Sequence, residues 1–327
     1  MKVSCALYLE VESEQELLTL DWDSLPQPVM VLGGGSNLLF TKDFPGTVLH
    51  VGIAGQAGND EDASRPGVMS SCPAPTGHLL VTCGAGVVFD DFCAWAASEG
   101  LWGPENLSLI PGECGASAVQ NIGAYGVEAK DILADIRAYD RQEGRFVHID
   151  PATCAYGYRT SRFKTEWKGR YVITAVTYRL SREPRPVLDY GGIRKALEGK
   201  TLTPLVIRET IIGIRREKLP DPAETGSAGS FFCNPVVPKE VFEGIEGNPP
   251  HYEVEGSIKI PAAWLIEQCG FKGARNGGAQ VYPKQPLVIV NETGEASPQE
   301  IIGLEQQVID AVKAKFGITL HPEVEHV

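Results

Sequence analysis

Ser230 is the serine of this sequence whose neighbours most suggest a chemical role. It stands in SAGSFFCNP (227–235), between Gly229 and the apolar pair Phe231–Phe232. A hydroxyl among apolar side chains can be kept in a dry pocket for proton transfer. A serine at a glycine turn can equally hydrogen-bond a nearby backbone amide. The segment alone favours the second role and leaves the first one open.

Two glycine-rich segments could hold an anion. GGGSN (33–37) follows an apolar run, and IPGECGASAVQNIGAYG (110–126) shows no helical periodicity. Glycine permits positive φ and a close approach of the backbone to a ligand, so successive amides can face a pyrophosphate. The GxGxxG fingerprint of nicotinamide-binding Rossmann domains is not met, because Leu38 occupies its last position. The two segments predict a large phosphate-bearing ligand held outside a Rossmann fold, although tight turns alone would also explain GGGSN.

Composition and charge narrow the class of protein. The chain has 327 residues, of which 43% are apolar and 22% charged, and its formal net charge is −13. This length predicts two or three domains, and the acidity argues against general binding of nucleic acid or anionic membranes. Cysteines without CxxC spacing argue against a zinc or redox motif, so we expect no metal site. The short apolar run at the start and the lack of a stretch of roughly 20 apolar residues predict a cytoplasmic protein.

The order of the predicted elements indicates an α+β fold. Strands are expected within 28–40, 47–51, 78–87 (ending in a glycine turn) and 170–180, with a hairpin over 135–150 and a final strand or extended arm over 318–327. A helix is expected within 88–100, stopped by Gly100, and another from a Thr203 cap to Pro220. Two more are expected, a short one closed by Gly270 and one that opens with a capping box at Ser297 and Glu300. Residues 54–77 are predicted to be a surface excursion.

Six motifs occur in one order: VLGGGSNLLF, IPGECGASAVQNIGAYGVE, YGYRTS, KLPDP…GSFFCNP, AAWLIEQCGFKG and LHPEVE. Together they resemble the UDP-N-acetylenolpyruvoylglucosamine reductase (MurB) family of peptidoglycan synthesis, over residues 28 to the end. GSFFCNP and the QNIGAYG loop are the most specific of these motifs.

The resemblance implies a vanillyl-alcohol-oxidase-like FAD-binding fold and a separate substrate-binding domain. It implies FAD-binding subdomains over 1–77 and 78–219, with the tail 318–327 returning to the first, and a substrate domain over 220–317. NADPH would reduce a tightly but non-covalently bound FAD, and the enolpyruvyl ether of UDP-N-acetylglucosamine would become UDP-N-acetylmuramate. The partners are these small molecules, and we expect a monomer.

The resemblance also implies roles for particular residues. Arg159 would stabilise the enolate, Glu323 would act as an acid or hold that end of the enolate, and Ser230 would give the proton. FAD would lie against two loops, at Gly33, Gly34, Gly35, Ser36, Asn37, Pro111, Gly112, Gly115, Ser117, Gln120, Asn121 and Gly123. The substrate would meet Tyr190 of the subgroup with a tyrosine loop that closes over the substrate, and Arg215, Lys218, Asn234, Tyr252, Lys272 and Gln285.

Some positions depart from the family pattern. Ala118 stands where proline is common and predicts a looser loop, and Glu325 stands where a basic residue is common. The usual longer N-terminal lead is not seen before LEVESEQEL, so we expect less cover over the adenine end of the FAD site. Two alternatives stay open: a flavin oxidase or dehydrogenase of the same fold acting on another substrate, and a UDP-sugar-binding relative without turnover.

Overall fold

The computed structural model describes residues 3–54, 68–74, 77–190 and 192–327. The chain divides into two compact units. The N-terminal unit comprises Cys5–Gly35 and Pro45–Arg215, and the C-terminal unit comprises Ser36–Phe44 and Arg216–Val327 with the start of the chain.

Runs of strands are separated by helices along the chain. The strands are β1 (Cys5–Val11), β2 (Val29–Leu32), β3 (Leu38–Leu39), β4 (Phe44–Val51), β5 (Val68–Ala74), β6 (His78–Gly84), β7 (Gly123–Ala124), β8 (Val127–Glu128), β9 (Leu133–Asp140), β10 (Arg145–Ile149), β11 (Tyr171–Ser181), β12 (Gly226–Ser230), β13 (Val236–Val237), β14 (Tyr252–Val254), β15 (Ser257–Lys259), β16 (Arg275–Asn276), β17 (Ala279–Val281), β18 (Val288–Asn291) and β19 (Glu325–His326). The α-helices are α1 (Glu14–Thr19), α2 (Phe89–Ser98), α3 (Cys114–Gln120), α4 (Ile193–Ala196), α5 (Pro204–Lys218), α6 (Lys239–Glu243), α7 (Ala262–Gln268) and α8 (Pro298–Phe316).

The N-terminal unit is built on an antiparallel sheet in the order β10-β9-β11-β6-β5. Its central strand β11 is buried on both faces, which fits its β-branched and aromatic sequence. A second sheet has the order β1-β4-β2, in which β2 and β4 run parallel. Helix α2 buries Phe89, Phe92, Cys93 and Ala96. Gly100, which follows this helix, has φ +69°.

The C-terminal unit contains sheets in the orders β12-β18-β17-β16 and β13-β15-β14. Helix α8 covers its core with Ile301, Leu304, Val308 and Val312, all of which are buried. The predicted capping box is present, because Ser297 and Glu300 each accept a hydrogen bond from the other's backbone amide. The tail ends in β19, which runs parallel to β3. The extended arm predicted for the end of the chain is therefore confirmed.

Helix α3 corrects one prediction. The segment 110–126 was expected to be irregular, and the substitution of alanine for proline at Ala118 to loosen it. Cys114–Gln120 is instead helical, and Ala118 is fully buried in that helix. A Cβ added at Gly115 would lie 2.8 Å from Ala85 Cβ, so the helix packs directly on the end of β6. Tertiary contact stabilises this helix, and such contacts leave no periodic signal in a short glycine-rich segment.

The predicted surface excursion over 54–77 was wrong in part. Residues 55–67 and 75–76 lie outside the described residues. Between them, Val68–Ala74 forms β5, the edge strand of the antiparallel sheet, which pairs with β6.

Candidate functional site

The two glycine-rich segments meet within the N-terminal unit. A Cβ added at Gly33 would lie 3.2 Å from Ala116 Cβ, and one added at Gly34 would lie 3.4 Å from Gly112 Cα. Gly112 has a φ of +115°, a conformation that other residues rarely adopt. The backbone of Gly112 therefore favours glycine, and a side chain at Gly33 would crowd the facing segment, whereas a Cβ at Gly34 would make an ordinary contact.

The backbone of the first segment can receive an anion. Within the described parts of the chain, the amides of Gly33, Gly34 and Gly35 donate no hydrogen bond. Gly34 and Gly35 are exposed, so these amides can reach a ligand. Consecutive amides without internal acceptors suit a phosphate. The chain's own residues thus fit the pyrophosphate of FAD.

A charged pair not foreseen from the sequence lies beside these amides. Glu113, the residue before α3, approaches Gly33, and its Oε1 lies 3.0 Å from Nε2 of His50. The other ring nitrogen of His50 lies 3.1 Å from Oε1 of Glu10. Partial burial opposes the charge on the ring, but the hydrogen bonds to Glu113 and Glu10 outweigh it and raise the pKa of His50. Neither spacing nor residue type could have linked three residues on separate elements.

Several predicted cofactor residues use their side chains inside the protein. The Ser117 hydroxyl is buried and donates to the Cys114 carbonyl at 2.6 Å. The Asn121 amide donates to the Gly157 carbonyl at 2.9 Å and accepts from the Lys130 amide at 3.0 Å. Any contact of these two residues with FAD would therefore come from their backbone. Of the remaining predicted residues in this segment, Gln120 ends α3, Gly123 begins β7 and Pro111 is exposed.

Arg159 lies against the end of the second glycine-rich segment. Its Nη2 donates to the Gly123 carbonyl at 2.6 Å, and a Cβ at Gly123 would lie 2.9 Å from its Nη1. Arg159 itself has a φ of +57°, which is uncommon for a residue with a side chain. A strained backbone held by its surroundings is typical of functional sites.

Two more predicted residues lie in the N-terminal unit. The guanidinium of Arg215 donates to the Leu109 carbonyl at 3.2 Å, and its buried Nε has no partner within the described residues. Burial lowers the pKa of Arg215. Tyr190 packs edge-on against Tyr125 with ring centroids 6.5 Å apart. Asn106, which sequence reasoning missed, joins the segment of Tyr125 to that of Tyr190. Its side-chain amide donates to the carbonyls of Tyr125 and Val187 at 2.9 and 2.8 Å.

In the C-terminal unit, Ser230 and Glu323 lie on hydrogen-bonded segments. The Glu323 amide donates to the Phe231 carbonyl at 2.8 Å, and Phe232 forms a bridge with Pro322. Ser230 ends β12 next to Gly229, whose φ is +74°. Among the described residues, the Ser230 hydroxyl has no hydrogen-bond partner, although a turn-capping serine requires one. The interpretation of Ser230 as a turn cap therefore loses its support.

Asn37 holds the segment that carries Glu323. Its Nδ2 donates to the Glu323 carbonyl at 3.1 Å, and its own carbonyl accepts from the Glu325 amide at 3.1 Å. The end of the GGGSN motif therefore positions a predicted catalytic segment. The sequence predicted cofactor contact for Asn37 and gave no sign of this second role.

Comparison with known proteins identifies the family. Residues 6–150 match the model of the FAD-binding domain, and residues 221–327 match that of the UDP-N-acetylenolpyruvoylglucosamine reductase C-terminal domain. The UDP-N-acetylenolpyruvoylglucosamine reductase of Bacteroides fragilis is 46% identical over 99% of this chain and 95% of its own length. The chain belongs to this reductase family. That of Porphyromonas gingivalis is 43% identical over 91% of this chain and 86% of its own.

The family assignment confirms the resemblance drawn from the six motifs and the predicted fold class. The crystal structure of the MurB reductase from Thermus caldophilus has a TM-score of 0.63 at 23% identity, covering 98% of this chain and 91% of that one, which shows a common fold. Among the described residues, no helix is long and apolar enough to cross a membrane.

The remaining predicted substrate residues of this family member are spread over the C-terminal unit. Asn234 accepts from the Ala262 amide at 2.8 Å and so caps α7, and Lys272 pairs with Glu267 at 2.8 Å. Gln285 lies in the turn before β18, the strand that pairs with Ser230. Lys218 ends α5 and Tyr252 begins β14, and both are exposed. Asn234 itself belongs to the SAGSFFCNP segment of Ser230, and Gln285 is linked to that segment through β18.

Proposed function

We propose that this chain reduces the enolpyruvyl ether of UDP-N-acetylglucosamine to UDP-N-acetylmuramate, with FAD as its bound cofactor and NADPH as reductant. The family assignment supports the reaction and the cofactor. The observation that supports the chemical roles is that the Ser230 hydroxyl has no hydrogen-bond partner among the described residues, while its segment is hydrogen-bonded to that of Glu323. The division of the chain into cofactor-binding and substrate-binding domains at the predicted boundaries is part of the same proposal.

The backbone of the two glycine-rich segments would hold FAD. The amides of Gly33, Gly34 and Gly35 would take the pyrophosphate, with Pro111 and Gly112 on the facing segment. When bound, FAD supplies the hydride, taken from NADPH and given to the terminal vinyl carbon of the substrate. The protein contributes orientation and charge.

Arg159 would stabilise the charge that this reduction places on the substrate. Addition of hydride to the vinyl carbon leaves an electron pair on the adjacent carbon, delocalised into its carboxylate as an enolate. A guanidinium can bind such a carboxylate through two parallel hydrogen bonds. Because the backbone and the Gly123 carbonyl already hold Arg159 in place, the charge is stabilised without reorganisation.

Ser230 would complete the reaction by giving its proton to the enolate carbon. A serine is a very weak acid, so it can protonate only a strongly basic partner, and an enolate carbon is one. Glu323 would hold the carboxylate end of the enolate or assist as a protonated acid. Ser230 would then recover a proton from solvent, which balances the reduction of the double bond by one hydride and one proton.

The predicted substrate residues would bind the rest of the UDP-sugar. Arg215, with its buried Nε lacking a partner, and Lys218 are cations suited to the diphosphate. Tyr190, Asn234, Tyr252, Lys272 and Gln285 would complete the contacts. All eight cysteines are free thiols, which supports the proposal of a reducing, cytoplasmic setting.

The half-reactions test the role of Ser230. We expect Ser230→Ala to be reduced by NADPH at the wild-type rate, because that step needs no carbon protonation. Its reoxidation by the enolpyruvyl substrate should slow by about 100-fold or more. Stopped-flow absorbance of the flavin measures both steps. Ser227→Ala, on the same strand, is the matched control and should keep both rates; equal loss of both steps in Ser230→Ala would make Ser230 structural.

A further inference from the structure

His50 joins three elements of the N-terminal unit at the glycine-rich segments. It lies on β4, Glu10 lies on β1, and Glu113 precedes α3. Its ring nitrogens approach Glu113 at 3.0 Å and Glu10 at 3.1 Å. The side chains of His50 and Glu113 are only 19% and 13% exposed. The bridge is therefore partly shielded from solvent, where a charge–charge interaction is stronger than at an open surface.

Glu113 places a negative charge beside the amides that suit a phosphate. A Cβ on Gly33 would lie 3.3 Å from its Oε2, and one on Gly34 would lie 3.7 Å from its Oε1. A carboxylate beside these glycines would repel a pyrophosphate held by their amides unless a cation compensates it. Among the described residues, His50 is the cationic group with a hydrogen bond to this carboxylate.

We propose that His50 is a positioning residue for the cofactor: in its protonated form it holds and neutralises Glu113, so that the Gly33–Gly35 amides can accept the phosphates of FAD. This inference rests on the proposed function, because it takes FAD as the ligand of these amides. It also predicts that FAD binds more weakly at alkaline pH. A neutral ring has one N–H and cannot donate to both carboxylates.

The charged and titratable groups around His50 are consistent with weaker binding of FAD at alkaline pH. Glu10 on β1 and Glu113 before α3 are the charged groups that contact His50, and Tyr8 on β1 lies near enough to interact with both carboxylates. On β2 the residue in register with His50 is Leu32, which is apolar. Burial and then Glu10 and Glu113 raise the pKa of Tyr8, so its hydroxyl stays neutral while His50 titrates. As the pH rises through neutrality, loss of the proton from His50 is therefore the change that sets the charge of this cluster.

Titration of apoprotein with FAD, followed by flavin fluorescence at about pH 6 and about pH 8.5, tests the proposal. We expect the dissociation constant of the wild type to rise by about fivefold at the higher pH. His50→Gln should bind FAD weakly at both values, because it cannot carry the charge. His148→Gln is the matched control. His148 also bridges two charged residues, with Nδ1 2.7 Å from Asp135 and Nε2 3.2 Å from Arg137, but it is 64% exposed on β10. This control should behave as the wild type does.

Glu113→Gln separates charge compensation from a merely structural role. Without the carboxylate there is nothing to neutralise, so Glu113→Gln and the double variant with His50→Gln should both bind FAD tightly at both pH values. The proposal would be overturned if His50→Gln bound FAD weakly and the added Glu113→Gln substitution did not restore the affinity. It would also be overturned if His50→Gln had the same pH profile of FAD binding as the wild type. Apoprotein that binds no FAD at either pH would refute the proposed function as well. Binding with the same affinity at both pH values would refute this inference alone.

Discussion

The role of Ser230 could not be established from its residue type and its neighbours in sequence alone. A serine between glycine and phenylalanine predicted a turn cap, and that prediction implied a hydrogen bond that the described residues do not contain. Its neighbours instead pair with the segment of Glu323, far away in sequence. The motif resemblance anticipated a chemical role for both residues; their pairing required the structure.

Glu305 is a residue whose protonation should control stability. Its carboxyl is buried in α8, 3.2 Å from Nε2 of His326, and burial raises its pKa to about 7 from a usual value near 4.5. The folded state therefore binds a proton more tightly than the unfolded chain. This contribution to stability is complete below the unfolded pKa and is lost as the pH rises through about 7.

We expect the wild type to lose about 2 kcal/mol of unfolding free energy, relative to Glu305→Gln, between about pH 5 and about pH 8. Burial lowers the pKa of His326, which adds a dependence of opposite sign that both proteins share. Urea unfolding at several pH values measures the difference. The exposed Glu243→Gln is the control and should follow the wild type. Parallel profiles for the wild type and Glu305→Gln would contradict the assignment.

At the scale of elements, local signals explain which helices were predicted. Helix α5 begins after Thr203, whose hydroxyl accepts from the Val206 amide at 3.2 Å, and α8 has its capping box. Both helices also have long apolar stripes. Helix α3 has neither signal, because its residues are small and its stability depends on contact with β6 and β11. A short helix without caps or periodicity cannot be recognised from local sequence.

Alanine substitutions at Gly115 and Gly213 form a matched test of the dependence of α3 on its packing against β6. In Gly115→Ala the new Cβ would lie 2.8 Å from Ala85 Cβ, so we expect a loss of about 1–3 kcal/mol in unfolding free energy. Gly213 lies inside α5 with no atom within 4 Å of an added Cβ, so Gly213→Ala should gain about 0.5–1 kcal/mol. Chemical denaturation measures both values. An unchanged Gly115→Ala protein would contradict the close packing of α3 on β6.

At the scale of the molecule, sequence patterns predicted the class of fold, and the motifs predicted the family. Contacts between distant residues could not be predicted in the same way. Asn37 reaches the Glu323 segment, and His50 bridges Glu10 and Glu113, although no local pattern relates these positions. Charge compensation and segment positioning depend on which elements the fold brings together.

The acidic whole molecule must bind a cofactor and a substrate that are both anionic. The net charge of −13 would repel them at long range, so local features must provide the attraction. The Gly33–Gly35 amides, which donate no hydrogen bond within the described parts of the chain, and the guanidinium of Arg215 with its buried Nε are such features. They make binding of a phosphate-rich ligand compatible with an acidic chain.

Anaerobic reoxidation of the NADPH-reduced wild-type protein tests the central claim most directly. The absorbance of oxidised flavin should return when the enolpyruvyl ether of UDP-N-acetylglucosamine is added without oxygen, in an amount equal to the UDP-N-acetylmuramate formed. Such a result would also exclude a relative that binds UDP-sugars without turnover. Flavin that stays reduced with this substrate and recovers its absorbance only when oxygen is admitted would contradict the account and indicate an oxidase.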